Sequence, residues 1–203
     1  MVIGITGGVG SGKSTVVDYV VKATNADVIL TDDLAKELTK PGKDSYIKVI
    51  KEFGNDILND DKTIDRVKLA KIVFNDDKKL KLLNECIHPY VCKYIEEYIS
   101  HNKDKLIIIE SALLFETDIY NLCDETWYIC ASKENKIERL KSSRGYSDEK
   151  IEFIMASQKD DNFFKEKSNI VIKNDDIEHM KRDVHLVLRL HSYYKKGFPI
   201  SHI

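Results

Sequence analysis

The chain has 203 residues, of which 42% are hydrophobic and 33% charged, with a formal net charge of -2. That length fits one domain with a sizeable core, with room for an inserted subdomain, and argues against two independent domains. The charge balance excludes a broad basic field for nucleic acid, and the composition excludes both a membrane-embedded and a disordered chain.

The first apolar run, residues 2–6, reads as a strand, too short and too soon followed by glycines to be a signal peptide or a membrane span. Directly after it, Gly7-Gly8-Val9-Gly10-Ser11-Gly12-Lys13-Ser14-Thr15 fits the pattern Gly-x-x-x-x-Gly-Lys-Ser/Thr. Val16, Val17, Val20 and Val21 then recur at helical spacing. Further strand candidates lie at 27–30, 105–110, 125–130 and 169–172, separated by helical stretches. Five such runs predict an α/β fold, a five-stranded parallel sheet flanked by helices.

The second and third runs are about seventy residues apart, far more than one crossover needs, and that stretch is charged, patterned and almost free of Gly and Pro. A helical insertion over about 41–102 is expected. Residues 132–165 also lack strand character; Ser132 is placed to cap a helix carrying Arg139, and Gly145 to end it. The core is then about 1–40, 103–131 and 166–190. The tail from His191, with Tyr193, Tyr194 and Phe198, suits either a packing arm or a subunit contact. Cys86, Cys92, Cys123 and Cys130 show no CxxC spacing and no secretory leader precedes them, which predicts reduced thiols in a cytoplasmic protein.

The glycine-rich segment carries the strongest chemical signal. Backbone N–H groups that wrap phosphates leave no room for side chains and need unusual φ values, which glycine supplies. Lys13 is expected to pair with β- and γ-phosphate oxygens, Ser14 to ligate Mg²⁺, and the following helix to turn its positive end to the anion. Chance matches to the four specified positions occur in fewer than about one chain in a hundred.

A phosphate loop announces a nucleoside triphosphate and not its use. No glycine is preceded three positions earlier by Asp, and the nearest base-reading mimic, Asn135-Lys136-Ile137-Glu138, ends in the wrong acid, so a GTPase switch is disfavoured. A small-molecule kinase instead needs an acid at the acceptor hydroxyl and cations over the transferring group. Asp32 and Asp33 follow the second strand, where open α/β sheets place ligands; they serve equally well as caps of a helix over 34–39. Glu110 ends the third strand, where a carboxylate can hold a metal-bound water. Tyr90 and Tyr94, four apart, read as helix packing rather than a base-stacking platform.

The ordered set of short motifs resembles the bacterial dephospho-CoA kinase family along nearly the whole chain. It comprises 3–15, Asp32 with Leu34-Ala35-Lys36 and Lys40-Pro41-Gly42, Phe53-Gly54, Ile64-Asp65-Arg66, Leu69, Val73-Phe74, Ile87-His88-Pro89, Leu113-Leu114-Phe115-Glu116, Arg139-Leu140 with Arg144, Gln158 and Asn174. Four positions depart from the pattern: Leu30 stands for an acid, Lys36 for an arginine, Ala112 for a proline and Ile154 for an arginine.

The resemblance implies transfer of the γ-phosphoryl group of ATP, with Mg²⁺, to the ribose 3′-hydroxyl of dephospho-CoA. Asp32 is the implied general base, Arg66 and His88 the acceptor contacts, and Arg139 and Arg144 the cations of a closing lid. Residues 8–15, Arg144 and Asn174 form the implied nucleotide site. Arg139 and Arg144, five apart, diverge by about 140° on a continuous helix and reach one anion only at its end; the alternative is a solvated helix face. No nucleic acid or membrane partner is expected, and the chain is read as a monomer or weak homo-oligomer.

Overall fold

The computed structural model describes residues 1–74 and 76–194, the last four as backbone only, so the tail lies largely outside the described residues. The chain separates into two compact units, one of 1–29 with residues from 102 onward, the other Leu30–His101.

The first unit holds the sheet: β1 (Val2–Thr6), β2 (Asp27–Leu30), β3 (Ile107–Glu110), β4 (Glu125–Cys130) and β5 (Ile170–Lys173), in the order β2-β3-β1-β4-β5. The registered pairs β1–β3, β1–β4 and β4–β5 are parallel. β3 starts two residues later than the apolar run suggests, because 105 and 106 still belong to the approach: Asn102 accepts from the Lys105 amide, and Leu106 accepts from that of Asp27.

β1 is buried along its whole length, so its apolar residues need no alternation. Ile3, Ile5, Leu106, Ile108, Trp127, Ile129 and Ile172 pack one way, against Val16, Val17 and Val20 of α1 (Lys13–Thr24) and Met180, Val184 and Leu188 of the last long helix, 177–194. The other face is as close. A Cβ on Gly4 would stand 2.7 Å from Cys123 Sγ, and the Tyr128 ring stacks on Phe164 with centroids 5.1 Å apart. Truncating a fully buried member such as Ile108 to alanine costs about 2–5 kcal/mol.

The second unit is helical, in keeping with its lack of Gly and Pro: α2 (Thr31–Leu38), α3 (Asp44–Phe53), α4 (Arg66–Val73) and α5 (Asp77–His101). It begins well before 41 because α2 packs on α3 and α5. A small core of Val49, Ile57, Leu69 and Cys86 closes it. Pro89 lies inside α5 and has no N–H to give the Glu85 carbonyl one turn back. Lys48 of α3 donates to that carbonyl at 3.0 Å, so the proline breaks no bond that is left unmade.

Three helices follow β4: α6 (Lys133–Arg144), α7 (Asp148–Ala156) and α8 (Asp161–Lys167); the helix Ile177–Tyr194 is α9. Ser132 caps α6 by accepting from the Asn135 amide, and Gly145 ends it at φ +61°.

Candidate active site

The phosphate loop leaves β1 and enters α1 through Gly12, whose φ of +80° no L side chain adopts easily. A Cβ there would also stand 2.2 Å from Asn174 Nδ2. Gly10 shares the φ of +80°, and a Cβ on it would meet the Lys136 carbonyl at 2.9 Å, because α6 lies against the loop. Two pressures therefore select glycine here: backbone conformation and the close approach of neighbours.

The carbonyls of Gly7, Gly8, Gly10, Ser11 and Gly12 are all engaged. Lys13 Nζ donates to Gly7 O at 2.8 Å and reaches Gly8 O at 3.5 Å, and the Ser11 amide donates to Gly8 O. Arg139 Nη1 donates to Gly10 O at 3.4 Å and Ser11 O at 3.2 Å, while its Nη2 donates to Asn174 O at 2.6 Å. Asn174 Nδ2 completes the brace on Ser11 O at 2.9 Å and Gly12 O at 3.3 Å. With the carbonyls held from outside, the loop is a nest suited to an anion.

Lys13 also has Glu110 Oε1 at 3.8 Å, so the carboxylate ending β3 stands beside the phosphate-binding cation. Ser14 and Thr15 are exposed on the first turn of α1, and Thr15 with Ile177 helps line an open groove of about 790 Å³ between α1 and α9. Ser11 is fully buried, and its hydroxyl has no partner among the described residues. The Val9 amide donates to Gln158 Oε1 at 3.2 Å.

Arg144 does not join Arg139 at the loop. It is exposed, with its guanidinium 5.9 Å from the Tyr146 ring centroid, as the helical spacing of the two arginines requires. Asp175, next to Asn174, accepts from the Ser132 amide at 2.6 Å and Asn135 Nδ2 at 2.9 Å. Burial opposes its charge, yet these donors hold its carboxyl well below the usual carboxylate range. It ties the base of α6 to the end of β5.

In the second unit, Asp32 and Asp33 sit within the first turn of α2 rather than ahead of it. The cap position is Leu30, which makes no side-chain bond, so neither acid is a cap. Both are exposed, but Lys36 Nζ lies 2.6 Å from Asp33, whereas Asp32 has no partner among the described residues. Arg66 opens α4 and reaches the end of α2, donating to Thr39 Oγ1 at 3.3 Å and Lys36 O at 3.5 Å. His88 is half-buried on α5, and burial lowers its pKa, which favours a neutral ring. Tyr94 stacks on Tyr98, with centroids 6.4 Å apart.

Sequence reasoning singled out Asn174 and Arg139 but not their shared grip on loop carbonyls more than 120 residues away. It named Lys136 only within a failed base-reading mimic and did not single out Asp161, since each looks like one charge among many on a helix.

A five-stranded parallel sheet with a glycine-rich anion loop between β1 and α1 defines a protein of the P-loop NTPase fold. The same fold recurs in a shikimate kinase from Bacteroides thetaiotaomicron (TM-score 0.52, 16% identity, 94% of this chain and 97% of that one). Residues 1–179 match the dephospho-CoA kinase family, and the chain belongs to it. A dephospho-CoA kinase from Lactobacillus johnsonii is 41% identical over 148 residues, 71% of this chain and 74% of that one. Another from Oceanobacillus iheyensis is 33% identical over 198 residues, 93% and 96% of the two chains. A solved Thermus thermophilus protein superposes with a TM-score of 0.79 at 27% identity over 94% of this chain and 97% of that one.

Proposed function

We propose that this enzyme transfers the γ-phosphoryl group of ATP to the ribose 3′-hydroxyl of dephospho-CoA, giving CoA and ADP, the last step of coenzyme A biosynthesis. The observation that carries the reading is the braced phosphate loop in a chain whose residues 1–179 match the dephospho-CoA kinase family.

In this reading the loop amides and Lys13 hold the triphosphate, and Arg139 and Asn174 keep the loop in shape for it. Asp32, exposed and without a partner among the described residues, accepts the proton of the acceptor hydroxyl as that oxygen attacks phosphorus in line and the bond to the ADP oxygen breaks. Asp33 is the lesser candidate because Lys36 already neutralises it. Arg66 and His88 contact the acceptor, the first through phosphate or ribose oxygens, the second as a neutral imidazole. Within 132–165, Arg139 and Gln158 already brace the loop, so the part that closes to exclude water is the exposed stretch around Arg144.

The donor set fits Mg²⁺: Ser14 offers a hydroxyl on the first turn of α1, and Glu110 Oε1 stands 3.8 Å from Lys13 Nζ, both hard oxygen atoms of the kind this ion takes beside phosphate and water. When bound, Mg²⁺ neutralises charge on the phosphate oxygens. No helix among the described residues is long and apolar enough to cross a membrane; a cytoplasmic monomer or weak homo-oligomer suits the reading.

The test is ADP release from Mg·ATP with dephospho-CoA, adenosine, AMP or thymidine monophosphate as acceptor, with mass analysis of the product. Turnover with dephospho-CoA alone and a product heavier by one phosphoryl group are expected. Turnover with another acceptor instead changes the substrate, and acceptor-independent ADP release overturns the reading.

A further inference from the structure

Lys136 is the buried cation that the site described above does not use. It lies on the inner face of α6 at 8% exposure, and its carbonyl and Cα line the space against Gly10. A lysine is rarely so buried unless paired. Its Nζ is 3.2 Å from Asp161 Oδ1, and the same oxygen accepts from the Tyr128 hydroxyl at 2.7 Å. Tyr128 is a fixed point, fully buried in β4 and stacked on Phe164.

Asp161 is the first residue of α8, just after its cap Asp160, and it stands three residues beyond Gln158. The fixed end of that short stretch is therefore the Tyr128–Asp161–Lys136 junction. Its working end is the Gln158 amide oxygen on the Val9 N–H. The fit there is tight: a Cβ on Gly8 would lie 2.9 Å from the same Gln158 oxygen and 3.9 Å from Lys136 Nζ. The loop is thus braced on two sides, by Arg139 and Asn174 on Gly10 to Gly12, and by the Gln158 stretch on Gly8 and Val9.

We propose that Asp161 and Gln158 are positioning residues for phosphoryl transfer: the Asp161–Lys136 ion pair fixes the start of α8, and Gln158 thereby holds the Gly8–Val9 turn in its anion-binding shape. Neither touches the reacting atoms in this account. The inference rests on the loop being the nucleotide site. Neutralising the half-exposed Asp161 leaves the buried Lys136 ammonium without its counter-charge, so Asp161→Asn displaces the stretch that Gln158→Leu merely disarms.

The test is a double-mutant cycle on Mg·ATP affinity, measured by titration calorimetry on the full chain, with the KM of each substrate and thermal melting recorded beside it. Asp161→Asn and Gln158→Leu are each expected to weaken Mg·ATP binding by up to about tenfold, on the scale of one neutral hydrogen bond, and to leave the KM for dephospho-CoA within twofold. In the double variant the two effects are not expected to add, because Asp161 acts through Gln158. Unchanged ATP affinity in the single variants, or fully additive losses, would overturn the proposal. Should Asp161→Asn fail to fold, Gln158→Leu decides alone, and unaltered ATP affinity in it overturns the proposal. Failure of the unmodified chain to bind Mg·ATP would sink the nucleotide-site reading and this inference with it; normal binding there with unaltered variants sinks this one alone.

Discussion

In the phosphate loop the carbonyls of Gly7, Gly8, Gly10, Ser11 and Gly12 each accept a hydrogen bond, from Lys13, Arg139, Asn174 or a backbone amide, whereas Asp32 stands exposed on α2 with no partner among the described residues. The first region is over-determined and the second barely determined. The difference follows from what each is proposed to do: a nest for three phosphates must be rigid before the anion arrives, while a carboxylate that takes a proton must be free to accept it. Substitutions should therefore damage the loop through shape and Asp32 through chemistry alone.

The sharpest break is expected from Gly12→Ala, which adds a Cβ 2.2 Å from Asn174 Nδ2 at a φ of +80°. Backbone strain of about 1–3 kcal/mol and displacement of Asn174 should lower turnover at fixed Mg·ATP by about 10²-fold, the scale of a misplacement near 1 Å. Steady-state kinetics checks it; activity within a few-fold of the parent would mean that the loop is not as closely held as its contacts indicate.

Arg139→Lys comes next. A lysine keeps the charge but lacks the fork that spans Gly10 O, Ser11 O and Asn174 O, so the KM for Mg·ATP should rise about tenfold, as for loss of one charged hydrogen bond. Equal loss of kcat at saturating ATP would instead place Arg139 on the transferring group.

Asp33→Asn should do little. Its exposed pair with Lys36 is worth about 0–1 kcal/mol, and activity and melting temperature should stay close to the parent's. A large loss of turnover there would exchange the roles of the two acids.

The smallest effect concerns His88. Burial lowers its folded pKa, so the unfolded chain takes up a proton first, and stability falls as pH drops below about 6.5. His88→Gln should flatten that part of the stability profile in denaturant titrations. An unchanged slope would show that His88 is as solvated folded as unfolded.

These regions also differ in how far the sequence exposes them. The phosphate loop was legible because its logic is local: nine successive residues set the turn, and the strand before and helix after supply its context. The Ser132 cap and the Gly145 stop were legible for the same reason. Strand order was not, since nothing local in β4 says that it pairs with β1 rather than β3. Nor was the brace, because Arg139 meets Ser11 O across 128 residues and Asn174 meets it across 163. Asp32 and Asp33 were readable as acids after a strand, but Lys36 stands four and three residues beyond them, within helical reach of both, and only the folded structure shows that it pairs with Asp33.

The central claim, that a rigid phosphate loop binds ATP while a free Asp32 takes the acceptor's proton, is tested most directly by one paired measurement on Asp32→Asn: Mg·ATP affinity and dephospho-CoA-dependent ADP release in the same preparation. Affinity and melting temperature are expected to match the parent's while turnover falls by about 10²–10⁴-fold. Turnover within a few-fold of the parent, or a loss fully explained by weakened ATP binding, would contradict the account.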